Sequence, residues 1–162
     1  MNKNKFAKLF LLLVIIVLLL FTGCSSISPQ SGATFSGSLT LDKTGENATA
    51  EGGEVEFVIS DDGKSITSMS YSLFNDKCKY ENLTVNGVGT TEVRTPPPSI
   101  KGGSFTWDSS DAVINGSFSS STEANGSITI SVQHSVQMSL SSPQKTQIDC
   151  DYGTWIWKAS VK

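Results

Sequence analysis

Residues 128–140 read ITISVQHSVQMSL. Every even position is apolar except His134, and every odd position is Thr, Ser or Gln. A period of two marks a β-strand with one buried face, because successive side chains leave a strand on opposite sides. Helical spacing would place apolar residues three and four apart, and this stretch does not. The alternation is longer than a usual strand, so a bend, bulge or turn is expected near Gln133 to Ser135.

The same period extends in both directions. Upstream, Phe35, Leu39 and Leu41 alternate with Ser36, Ser38 and Thr40 around Gly37. Val55, Phe57 and Ile59 form a second set, and Met69, Tyr71 and Leu73 a third. Between these two sets lies Asp61-Asp62-Gly63-Lys64, whose Asp-Gly step predicts a hairpin. Phe105 with Trp107, then Ile114, Gly116 and Phe118, give two more strands. At the end of the chain Trp155, Trp157, Ala159 and Val161 alternate with Thr154, Ile156, Lys158 and Ser160. Gly-Ser precedes an apolar residue at Gly37, Gly103, Gly116 and Gly126, which suits strand starts or bulges. Pro96-Pro97-Pro98 cannot donate to a ladder and reads as a stiff crossing or sheet edge.

Short antiparallel strands separated by turn signals define an all-β domain. The expected architecture is an antiparallel β-sandwich, immunoglobulin-like or jelly-roll-like, with a small meander barrel as the alternative. The Gly-Ser strand starts and the closing GTWIWKAS resemble small β-rich domains of bacterial envelope proteins, a likeness that carries over no catalytic or binding residues.

The chain begins differently. Lys3, Lys5 and Lys8 precede Leu9 to Phe21, in which every residue is Leu, Ile, Val or Phe. Thirteen helical residues would span about 20 Å of a roughly 30 Å hydrocarbon core, which is short for a membrane span. A basic start, a short apolar centre and a small-residue exit describe an export signal. The exit itself, Phe21-Thr22-Gly23-Cys24, resembles the lipobox of bacterial lipoproteins, with Phe21 where Leu is usual. That resemblance implies cleavage before Cys24 and a diacylglyceryl group on its thiol. Ser25 after the cysteine resembles the pattern that favours an outer membrane in lineages that have one. The domain reading is therefore a signal peptide over 1–23, a lipidated flexible tether over 24–33, and one β domain over 34–162. The expected place is the extracytoplasmic face of a cell or outer membrane, held by lipid.

Loss of the signal removes three lysines and no acid. Nine basic side chains then face fifteen acidic ones, a balance of −6. This argues against nucleic-acid binding, which calls for a basic patch, and leaves membrane attachment to the lipid. Cys78 and Cys150 are the other two cysteines. Outside the reducing cytoplasm such a pair most simply forms a disulfide. Metal binding is the rival, but neither cysteine has a partner at ligand spacing.

Catalytic signals are sparse. His134 is the sole histidine, and parity places it on the apolar side of its strand. No Gly-x-Ser-x-Gly elbow, metal set or phosphate-cradling loop accompanies it. Asp149 and Asp151 flank Cys150, and Asp61-Asp62 sit in a turn; solvated acids explain both, and no metal or cofactor is expected. Asn47, Asn82, Asn115 and Asn125 open Asn-x-Ser/Thr triplets, which a Ser/Thr-rich chain generates by chance. Aromatic platforms for sugar would need outward tryptophans, yet parity turns Trp107, Trp155 and Trp157 inward. Trp157, if its strand lies at an edge, and Trp107 are the ligand-binding candidates. The functional expectation is a non-catalytic binding or structural module whose partner is an envelope protein, a surface polysaccharide or a small ligand. A carbohydrate-binding module and a small hydrolase or enzyme inhibitor stand as alternatives.

Overall fold

A computed structural model describes residues 27–81, 83–86, 91–93, 98–137 and 145–162. Cys24, Asn82, Pro96, Pro97, Met138 and Leu140 lie outside these residues. The described residues form strands and turns with no helix: β1 (Thr34–Lys43), β2 (Ala48–Thr49), β3 (Gly52–Ile59), β4 (Ile66–Phe74), β5 (Lys77–Tyr80), β6 (Leu83–Asn86), β7 (Thr91–Val93), β8 (Ser104–Asp108), β9 (Ala112–Phe118), β10 (Glu123–Gln137) and β11 (Lys145–Val161).

Eight strands make one antiparallel sheet in the order β7-β4-β3-β1-β11-β10-β9-β8. The order is a meander from each end, and the first and last long strands pair in the middle, from Phe35↔Val161 to Leu41↔Trp155. The sheet curls until its halves touch. Phe57 on β3 packs against Phe105 on β8, five strands away, with ring centroids 5.7 Å apart. Phe35, Phe118 and Trp157 complete this aromatic centre. At one end the open seam is bridged: Pro98 is buried and its carbonyl accepts from Ile66 N at 3.0 Å, while Ile100 N donates to Lys64 O at 2.7 Å. The described end of the proline run therefore lies along a sheet edge, as read.

The curl has a visible cause. Cross-strand register lines up Phe105, Gly116, Gly126, Trp157, Leu39, Gly53 and Leu73 in one row across the sheet. Glycines interrupt the large side chains of this row, and the Phe105 and Trp157 rings lie over the bare backbone of Gly116 and Gly126. A Cβ on Gly116 would stand 2.3 Å from the Phe105 ring and 2.9 Å from the Trp157 ring. Removing those methyl groups lets adjacent strands bend towards the core, the device by which curved sheets turn a corner.

The hairpin between β3 and β4 forms as expected. Its turn is organised by Ser60 Oγ, which donates to Asp62 Oδ1 at 2.6 Å and accepts from Ser65 N at 3.0 Å. These bonds, with Lys64 N on the same carboxylate, hold Asp62 below the usual carboxylate range.

The described part of the long alternating run, to Gln137, is one long strand. No bend falls at Gln133 to Ser135; those residues pair in register with Asp149 to Gln147. The register shift lies earlier, where Ile130 faces Gly153 and Ser131 faces Asp151, so Tyr152 is the extra residue and it belongs to β11. Gly153 takes φ +77°, and a Cβ there would meet Lys43 O at 2.0 Å. This bulge converts an even-numbered buried set, Ile148, Cys150 and Tyr152, into an odd-numbered one, Trp155, Trp157 and Ala159. Leu41 also departs from its expected burial and is 43% exposed. It extends past the start of β3, and only β11 flanks it there.

A second sheet, β2-β5-β6, packs on the far part of β11. The Cys78–Cys150 disulfide joins β5 to β11, with Cα atoms 5.7 Å apart and both cysteines fully buried. Beside it Tyr152 donates to Asp76 Oδ2 at 3.1 Å, and Trp155 Nε1 donates to Tyr152 O at 3.0 Å. Burial first, then the Asp76 carboxylate, pushes the Tyr152 phenol well above its ordinary range. The bulge residue is thus the peg that fastens the crossing after β4 to the last strand.

Candidate functional site

Strand parity leaves a broad polar surface on the outside of the large sheet. One cross-strand row there reads Ser72, Glu54, Ser38, Lys158, Asn125, Ser117 and Ser104. The next reads Thr40, Ile156, Ser127, Asn115 and Thr106. Small hydroxyl and amide side chains dominate because these positions face water and β-strands favour Thr on an open pleat.

Two open depressions lie on this surface and share the Asn125–Lys158 pair. One, about 420 Å³, is bounded by Ser119, Glu123, Asn125, Lys158 and Ser160. The other, about 460 Å³, is bounded by Ser38, Thr40, Asn125, Ile156 and Lys158. Ile156 is 47% exposed and supplies the apolar wall. Lys162, by contrast, is engaged by Glu56. The surface offers hydroxyls, an amide, one ammonium, one carboxylate and one aliphatic side chain in shallow, open grooves. Such groups can bind an extended polar ligand by hydrogen bonds, many of them through water.

The residues singled out in the sequence fall elsewhere. Trp157 is 2% exposed and β11 is an interior strand, so the condition for its exposure fails and it is no platform. Its ring fills the space over Gly116 and Gly126. Trp155 is equally buried, and Trp107, on the edge strand β8, is half-buried against the core. His134 points to the apolar side as parity predicts. Its Nε2 is enclosed and has no hydrogen-bond partner among the described residues. Asp149 accepts from Gln133 Nε2 at 2.9 Å, and Asp151 accepts from Gly153 N at 2.8 Å and Glu46 N at 3.2 Å, so both acids brace the bulged strand. Among the described residues no group of His, Cys, Asp and Glu could hold a metal ion. Asn47 uses its whole amide on β11, donating to Asp149 O at 2.7 Å and accepting from Asp151 N at 2.9 Å.

Sequence reasoning had no means of finding the Asn125–Lys158 grooves. They depend on which strands become neighbours, and only the β1–β11–β10 order brings Ser38 beside Lys158 beside Asn125.

The fold and surface define a class: a disulfide-tied, curled antiparallel β domain with an open polar sheet face. No protein-family model, characterised protein or solved structure matches the chain.

Proposed function

We propose that the chain is a lipid-anchored extracytoplasmic envelope protein that acts by binding or as a structural module, without catalysis. The observation that carries the binding role is the pair of shallow polar grooves meeting at Asn125 and Lys158. The anchor rests on the lipobox resemblance at Phe21 to Cys24. The later part of the segment read as a tether is docked on the domain: Pro29 is buried, Gln30 N donates to Ser121 O at 2.8 Å and Gly32 N to Ser60 O at 3.2 Å. Four residues then separate Cys24 from Pro29, a reach of at most about 18 Å for the five steps. A lipid on Cys24 would hold the turns at Ser60–Ser65 and Ser119–Thr122 close to the bilayer, with the disulfide end pointing away.

The non-catalytic reading is supported by the enclosed His134 Nε2, which no described serine or acid engages. Carbohydrate binding is the second reading. Its aromatic-platform form is not supported, since Trp155 and Trp157 are core residues; hydrogen bonding across the Ser/Thr/Asn face is the form that fits. Binding of purified surface polysaccharide to the full-length protein, compared with Lys158→Ala and Asn125→Ala, tests the grooves. At least a tenfold loss is expected for a groove ligand, and unchanged binding would remove the grooves from the account.

A further inference from the structure

We infer that this chain pairs with a second copy of itself along the edge of β10 that no described strand covers. In the large sheet β9 covers β10 only from Ala124 to Ile130. Beyond that point Ser131 N donates to Asp111 O at 2.9 Å, which shows that odd-numbered residues of β10 aim their main-chain groups towards the β9 side. No shift interrupts the β10–β11 ladder from Ser131 to Gln137. Alternation therefore aims the N–H and C=O of Gln133 and Ser135 out of the same edge, with no described strand beside them.

Unpaired edges are normally blunted by brevity, charge, proline or cover. The two described end strands of the large sheet follow that rule. β7 has three residues and includes Glu92, and β8 has five and ends in Asp108. On the opposite side of the same arm, β11 carries Lys145, Asp149 and Asp151, and the Asn47 amide occupies its main chain. The β10 edge from Val132 to Gln137 has no charged residue and no proline. Disulfide attachment of the small sheet to Cys150 holds the arm that bears it.

The occupant follows from the sequence of that edge. Ser131-Val132-Gln133 recurs as Ser135-Val136-Gln137 about His134. An antiparallel two-fold pairing centred on His134 places Gln133 opposite Ser135 on both sides of the axis, each facing its Ser/Gln complement, while Ser131, whose N–H is held by Asp111 O, lies outside the contact. The existing partner strand shows the same match: Gln147 Nε2 donates to Ser135 Oγ at 2.7 Å. Gln133 and Ser135, which aim their main chain out of this edge, are also the residues that this register makes hydrogen-bonded pairs. A two-fold contact of this kind is closed and stops at the dimer.

Full-length copies carrying Gln133→Cys and Ser135→Cys, differently tagged and co-expressed, are oxidised in their own membranes. The expected result is a mixed 133–135 dimer several-fold more abundant than the 133–133 dimer, which the register disfavours. Ser135→Pro, which removes an N–H that points out of this edge and not towards β11, should lower dimer formation at least tenfold in sedimentation of the detergent-purified protein. Ser135→Lys should do the same and decides the matter if the proline variant fails to fold. A monomer at every concentration, a dimer indifferent to Ser135→Lys, or equal cross-linking at both pairs would overturn the inference.

Discussion

Gly126→Ala puts the physical cause of the sheet's curl to a quantitative test. The added Cβ would stand 1.9 Å from Asn115 O and 2.6 Å from Trp157 Cζ2, where an ordinary contact begins near 3.4 Å. About 1.5 Å must therefore open between β9 and β10, whose main chains are hydrogen-bonded at roughly 4.8 Å spacing. Backbone cannot swing aside as a side-chain tip can, and the Trp157 ring is itself wedged against Phe57 and Phe105. Overpacking costs about 1–3 kcal/mol, and this site belongs at the upper limit, less about 0.4–1 kcal/mol that alanine recovers by restricting the unfolded chain. The expected net loss is about 2 kcal/mol. Gly52→Ala is the matched control, because its Cβ would meet nothing nearer than Phe74 at 3.8 Å and its φ is not positive. That change should be neutral or stabilising by about 0.4–1 kcal/mol. Urea unfolding followed by tryptophan fluorescence reads both. Equal stability of the two variants would show that the glycine row does not govern the curl.

Cys78→Ser with Cys150→Ser, or reduction, should cost about 4 kcal/mol, since the bond closes a loop with a sequence separation of 72; thermal melting with and without reductant measures it, and an unchanged melting temperature would refute that role. Tyr152 is held neutral by burial and by Asp76, so its folded-state pKa lies above its ordinary 10.0. Stability from this site is complete below about pH 10 and is lost as pH rises further. Tyr152→Phe should flatten that alkaline decline while costing about 1–3 kcal/mol at neutral pH through the lost donor to Asp76; melting temperature against pH gives both. Asn47→Ala should lower stability by about 1–3 kcal/mol by stripping Asp149 O and Asp151 N of their partner, while Asn47→Asp should recover only the bond to Asp151 N.

Much of the fold was legible because a period of two is a local property. Val55, Phe57, Ile59, Met69, Tyr71, Ile114, Ile128, Ile130, Trp155 and Trp157 are all buried as their parity predicts, and the Asp-Gly turn falls between β3 and β4. The misplaced irregularity is instructive. The sequence of β10 alternates without fault, and the extra residue sits on its partner. Its signal was present as the change from even to odd buried positions between Cys150 and Trp155, with Gly153 between them. Asp76 gave no such signal, because a buried carboxylate depends on the distant Tyr152 for its partner. The small sheet, the exposed Leu41 and the Asn125–Lys158 grooves likewise depend on which strands become neighbours. Strand order is a long-range outcome that alternation does not encode.

The anchoring of the chain at Cys24 is the claim on which its place and orientation depend. Intact and peptide mass spectrometry of the protein extracted from its own membranes tests it most directly. The account predicts a mature chain that begins at Cys24, lacks residues 1–23 and carries a diacylglyceryl group on that cysteine. A chain that begins elsewhere, or an unmodified Cys24 thiol in membrane-extracted protein, would contradict it.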